Sequence, residues 1–129
     1  MNSDNELVQR ARDASTSAYA PYSHFCVGAA LLANDGRIFA GCNVENASYG
    51  LTVCAERHAV AAAVAAGALQ FSAIAVVSRG GVAPCGACRQ VLREFGPNLR
   101  VLLCTETGTV SETSLAALLP AAFGPDSLS

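Results

Sequence analysis

Two short segments carry the residues best suited to chemistry. Cys54-Ala55-Glu56 opens one predicted helix, and Pro84-Cys85-Gly86-Ala87-Cys88 opens another. Two cysteines three apart at a helix start can turn toward one metal, because both side chains face the first turn. Backbone N–H groups and the helix dipole favour thiolates there. With Cys54 beside them, Cys85 and Cys88 complete a three-thiolate site of the kind zinc accepts. No fourth protein ligand is evident, and an open coordination position suits catalysis. Glu56, two residues after Cys54, is placed to move protons on a metal-bound water. Three thiolates weaken a dication as a Lewis acid, so a nearby cation helps. Arg57 and Arg89 both follow the motifs closely, and Arg57 is favoured for that charge-balancing role.

Each of these residues has a plainer alternative. Cys-x-x-Cys alone is more often redox-active or structural. A closed structural zinc module needs a fourth ligand, with Cys26, Cys42, Cys104 or His58 available. His58, one helical turn after Cys54, reads instead as a satisfied or partly exposed histidine. His24 carries no motif. Cys26, Cys42 and Cys104 fall in strand patterns and read as small core hydrophobes.

The elements that must position these residues follow from periodicity and punctuation. Residues 4–18 read as a helix, with Leu7, Ala11, Ala14 and Ala18 at helical spacing. Phe25 to Ala33 and Arg37 to Asn43 read as a hairpin around Asn34-Asp35-Gly36. An alanine-rich helix from Cys54 to Ala66 ends at Gly67, and suits close contact with neighbouring backbone. Phe71 to Ser78 is a strand, Cys85 to Phe95 a helix, and Arg100 to Cys104 a strand. The link through Gly108 is too short for a crossover, so Val110 begins an antiparallel fifth strand. Ser114 to Leu119 is a last short helix. The middle strand-helix-strand unit must be parallel and both ends antiparallel. This is an α/β fold with helices on both faces of a five-stranded mixed sheet.

The 129 residues fit a single domain, 1–129, large enough to need no disulfide staple. The 52% hydrophobic content implies a full core or surface covered by partner subunits. No apolar run reaches membrane-spanning length, and the polar start from Met1 to Glu6 is unlike a signal peptide, so a cytoplasmic protein is expected. Six cysteines there point to metal or catalysis rather than disulfides. Net charge is −2, lysine is absent, and the eight arginines are scattered. No basic face is forecast, so the expected partner is a small molecule rather than a nucleic acid.

The chain resembles the small homotetrameric cytidine deaminases. The resemblance runs through Tyr19-Ala20-Pro21-Tyr22-Ser23, Phe25-Cys26-Val27-Gly28-Ala29-Ala30 and Gly41-Cys42-Asn43-Val44-Glu45-Asn46-Ala47-Ser48-Tyr49. It continues through Cys54-Ala55-Glu56-Arg57 and Pro84-Cys85-Gly86-Ala87-Cys88-Arg89-Gln90 to Leu118-Leu119-Pro120. It implies a three-layer α/β/α fold and one Zn2+ per chain on Cys54, Cys85 and Cys88. It also implies attack of zinc-bound hydroxide on C4 of a cytosine nucleoside, with Glu56 as proton shuttle. Cytidine and deoxycytidine would yield uridine, deoxyuridine and ammonia, a pyrimidine-salvage reaction.

By the same resemblance, Asn43 and Glu45 bind the ribose hydroxyls, Phe25 lines the pocket against the base, and the Ala55 backbone helps hold it. Pockets in this family are completed from neighbouring subunits, which assigns Tyr49 and Phe123 to a shared site in a homotetramer. Relatives carry Pro-Gly-Ala-Phe where this chain has Pro120-Ala121-Ala122-Phe123, so a positive φ at Ala121 would strain the tail. The stretch between the third strand and Pro84 is shorter than in some relatives, which bears on the pocket rim. Deaminases of blasticidin S share the zinc motif, but Phe25 and the segment from Asn43 to Ala47 fit nucleoside deaminases better. Polynucleotide deaminases usually present His-x-Glu, where this chain has Cys-x-Glu.

Overall fold

A computed structural model describes residues 3–128; Met1 and Asn2 of the polar start, and Ser129, lie outside the described residues. The elements run α1 (Ser3–Ser15), β1 (Gly28–Ala33), β2 (Ile38–Cys42), α2 (Ala55–Ala65) and β3 (Phe71–Ser78). They continue with α3 (Gly86–Phe95), β4 (Arg100–Thr105), β5 (Val110–Ser114) and α4 (Leu115–Leu118). Short 3-10 turns occupy Tyr49–Leu51 and Pro125–Leu128. The five strands lie in the order β2-β1-β3-β4-β5. Only β3 and β4 pair in parallel, and α3 makes the crossover between them. The two hairpin links turn through left-handed glycines, Gly36 at φ 93° and Gly108 at φ 110°.

Strand alternation divides the core into two layers. Ala29, Leu31, Ile74, Val76 and Val101 pack with Ala55, Ala59 and Ala63 of α2 and Leu92 of α3. Ala30, Ala73, Ala75, Val77 and Leu102 face the other way, onto Leu7 and Ala11 of α1. The result is the expected three-layer α/β/α arrangement.

Small residues set the spacing between layers. A Cβ at Gly41 would lie 2.7 Å from the Ala55 carbonyl oxygen and 2.6 Å from the Ala59 nitrogen. The bare backbone of β2 therefore lets the start of α2 settle against it. A Cβ at Gly28 would meet the Ala11 carbonyl oxygen at 2.0 Å, so β1 makes the same close approach to α1. Either glycine replaced by alanine forces a helix off the sheet.

Register fixes where a site can form. Gly28 pairs with both Cys42 and Val77. The start of β1 and the ends of β2 and β3 thus share one end of the sheet. The segments leaving that end lead directly into α2 and α3.

Several expected boundaries move. The first helix stops at Ser15 rather than residue 18. The Ser15 and Thr16 hydroxyls donate back to the Arg12 and Asp13 carbonyls at 2.6 and 2.7 Å, drawing the backbone into a turn. The first strand begins at Gly28 rather than Phe25, because a side chain, not a ladder, holds residues 25–27. Cys26 lies in that stretch and is exposed, and Cys42 is only partly buried. Of the three cysteines expected in the core, Cys104 alone is fully enclosed.

Candidate active site

Cys54 and Cys85 occupy equivalent positions, each the residue capping the start of its helix. Both have extended backbone and neither side chain caps its helix, so both thiols turn away from the helix axis into the space between. Cys88 follows inside the first turn of α3 and is fully buried. The sulfurs of Cys54 and Cys85 are 4.0 Å apart, and all three ligand atoms lie within 4.8 Å of one another. A tetrahedral zinc with Zn–S bonds of about 2.3 Å separates its sulfurs by about 3.8 Å. The three thiols fit such an ion after a contraction of a few tenths of an ångström to about one ångström.

The electrostatics suit the same ion. The Cys54 thiol is drawn down to about 5 by its hydrogen bond with Cys88, helped by Arg57. Cys88 is pushed up by the same hydrogen bond, by burial and by the Glu56 charge. A metal displaces such protons when thiolates ligate it. Arg57 Nη2 donates to the Cys54 sulfur at 3.6 Å. Its Nε is buried with no hydrogen-bond partner among the described residues. Arg89 points elsewhere. It donates to the Pro84 and Leu118 carbonyls at 2.7 and 2.8 Å, and so braces the loop before Cys85. His58 is turned aside as well, with Nδ1 2.8 Å from the Cys42 carbonyl oxygen.

Glu56 sits in the first turn of α2 and is 5% exposed. Burial raises its pKa above the ordinary carboxylate value; its own backbone N–H offsets part of this, the Cys54 charge adds to it, and Arg57 offsets more. A carboxyl group held in this way accepts and returns protons more readily near neutrality than a solvated glutamate does.

Glu56, Cys54 and Cys85 line a cavity of about 280 Å³ together with Phe25, Asn43, Glu45 and Ala55. The volume is near the lower end of the range for small-ligand sites, roughly 300–1,000 Å³. Backbone pairing joins its two ends. Val44 and Val53 exchange hydrogen bonds at 3.0 and 3.1 Å, setting Asn43 and Glu45 alongside Cys54.

Asn43 is buried and pinned at both ends of its amide. Its Oδ1 accepts from Val27 N, and its Nδ2 donates to the Phe25 carbonyl, both at 2.8 Å. Glu45 is equally engaged. Its Oε1 accepts from Tyr22 N at 3.0 Å and Ser23 N at 3.2 Å, while Oε2 accepts from the Ser23 hydroxyl. The Ser23 hydrogen bond in particular holds the Glu45 carboxyl below its ordinary pKa.

Tyr49 and Phe123 stand apart from this cavity. Tyr49 is 74% exposed and lines an adjoining depression of about 430 Å³ that shares Ser23, Glu45 and Thr52 with the main cavity. Phe123 is 59% exposed, on a tail held by a 2.9 Å hydrogen bond from Gln90 to its carbonyl. Ala121 adopts φ 52°, the left-handed conformation that glycine takes without strain.

Other residues at the cavity were given no role from the sequence. Ser23, Val27, Thr52, Val76, Val82 and Ala83 also line its walls. The guanidinium of Arg79 lies 5.4 Å from the centre of the Phe25 ring, a cation–π contact across the mouth. Gly80 and Gly81, at φ 83° and 63°, turn the chain directly after Arg79. Nothing local in the sequence indicated that the Arg79 side chain would reach Phe25.

Comparisons with known proteins agree with this geometry. The family model described as the cytidine and deoxycytidylate deaminase zinc-binding region matches residues 1–104. A cytidine deaminase of Sporosarcina psychrophila is 50% identical over 127 residues, covering 96% of this chain and 93% of that protein. One from Mycobacterium tuberculosis (strain ATCC 25618 / H37Rv) is 47% identical over 126 residues, covering 96% and 92%. The crystal structure of cytidine deaminase from Burkholderia pseudomallei superposes with a TM-score of 0.90 at 55% identity, covering 95% of this chain and 100% of that one. The chain therefore belongs to the zinc-dependent cytidine deaminase family.

Proposed function

We propose that this protein converts free cytidine and deoxycytidine to uridine and deoxyuridine, releasing ammonia, in pyrimidine salvage. The observation that carries the reading is the single cavity in which Cys54, Cys85 and Glu56 share walls with Phe25, Asn43 and Glu45. Bound to the three cysteines, zinc supplies the Lewis acidity that brings the pKa of a water near neutrality. Glu56 takes a proton from the attacking water and passes it to N3 of the cytosine ring. Oxygen bonds to C4, Glu56 delivers the second proton to the exocyclic amine, and the C4–N bond breaks. The Ala55 backbone, at the open N-terminus of α2, holds the base. Phe25 packs against the ring, while Asn43 and Glu45 take the sugar hydroxyls with their remaining hydrogen-bonding capacity. Arg57 balances thiolate charge and leaves the metal a stronger Lewis acid.

The working unit in this reading is a cytoplasmic homotetramer, with Tyr49 and Phe123 completing a neighbour's pocket. Tyr49, Leu51 and Phe123 are 74%, 66% and 59% exposed in the single chain, as large apolar groups awaiting a partner are. No helix among the described residues is long and apolar enough to cross a membrane.

A spectroscopic deamination assay on cytidine, deoxycytidine and blasticidin S tests the substrate reading, with zinc measured on the same sample. Turnover of both cytosine nucleosides at about one zinc per chain is expected. Turnover of blasticidin S alone would overturn it.

A further inference from the structure

Ser23 belongs to no motif with an assigned role, yet its hydroxyl joins two walls of the cavity. Ser23 Oγ accepts the Phe25 backbone N–H at 3.0 Å, the two-residue side-chain turn that serines favour. The same hydroxyl bonds to Glu45 Oε2. A hydroxyl has one proton, and Phe25 N is itself a donor, so that proton points to the carboxylate. His24, between the two, is held at φ 58° while its N–H donates to the Ala20 carbonyl at 2.9 Å. A left-handed non-glycine residue at a cavity edge is strain that the surrounding bonds must maintain. The other Glu45 oxygen accepts from Tyr22 N and Ser23 N, so residues 22 and 23 hold both carboxylate oxygens.

We infer that Ser23 is a positioning residue that fixes the rotation of the Glu45 carboxylate and ties it to Phe25, so that sugar recognition and base recognition share one geometry. The inference rests on the reading of Glu45 as a sugar contact. With alanine at 23, Phe25 N loses its acceptor and Glu45 Oε2 loses the donor that orients it. The loop still keeps its shape, because Asn43 grips the Phe25 carbonyl and Val27 N independently. The loss should therefore fall on sugar recognition rather than on the fold.

The test compares kcat/KM for cytidine and 2′,3′-dideoxycytidine, which lacks the 2′- and 3′-hydroxyls, in the zinc-loaded protein and three variants. Ser23→Ala is expected to reduce the preference for cytidine about tenfold, the size of one hydrogen bond to a charged group. Ser23→Thr keeps the hydroxyl and is expected to retain most of the preference. Glu45→Gln is expected to lose at least as much as Ser23→Ala. A Ser23→Ala variant whose two rates fall equally, or whose preference is unchanged while Glu45→Gln loses its own, overturns the inference. An unchanged preference in Glu45→Gln overturns the sugar role of Glu45, and the role of Ser23 with it.

Discussion

The two ends of the cavity are built in different ways. The metal end hangs on regular elements: two helix starts, a buried third thiol and a glycine that lets α2 press on β2. The end proposed to take the sugar hangs on irregular backbone held by side chains, with Asn43, Glu45 and Ser23 fastening residues 22–27. At the metal end Cys88 and Glu56 are buried, Cys54 is half-buried and Cys85 is exposed. At the other end Asn43 is buried, Glu45 is half-buried, and Tyr49 in the adjoining depression is exposed. The three cysteines and Glu56 thus sit at the starts of regular helices, and Asn43 and Glu45 on irregular backbone between elements.

This contrast orders the expected effects of substitution. Cys88→Ala removes a buried ligand and should abolish zinc binding, lowering turnover by at least about a thousandfold. Metal content and rate measured together check it, and a zinc-loaded active variant would break the comparison at its strong end. Arg57→Met should keep the metal site folded yet reduce turnover or zinc affinity about 10–100-fold. An effect no larger than twofold would show that the Cys54 sulfur needs no balancing cation. Arg79→Met removes the cation over Phe25 and should raise KM for cytidine only about two- to fivefold, as an exposed cation–π contact implies. A larger loss there than at Arg57 would reverse the ranking of the two ends.

The same contrast explains what could be read from the sequence. The central strand β3 spans Phe71–Ser78 as expected, because a buried apolar run bounded by polar breaks has one reading. Both metal-bearing helices begin within one residue of expectation, since the capping cysteines themselves mark the starts. The grouping of Cys54, Cys85 and Cys88 was legible from types and spacing. Ser23, Arg79 and Val82 were not, because their roles depend on contacts between segments far apart in sequence. The exposure of Cys26 was hidden for the same reason: its strand-like neighbourhood is held by the Asn43 amide 16 to 18 residues away. Asn43 and Glu45 were assigned to the sugar by resemblance only, and the geometry gives each a second task, fastening the backbone that carries Phe25.

The central claim is that Glu56 moves protons at a zinc site it does not help to hold. Glu56→Gln, assayed for cytidine turnover, zinc content and thermal stability on one preparation, addresses it directly. The account predicts about one zinc per chain, a retained fold, and turnover reduced by roughly two to four orders of magnitude. Undiminished turnover with zinc in place would contradict it.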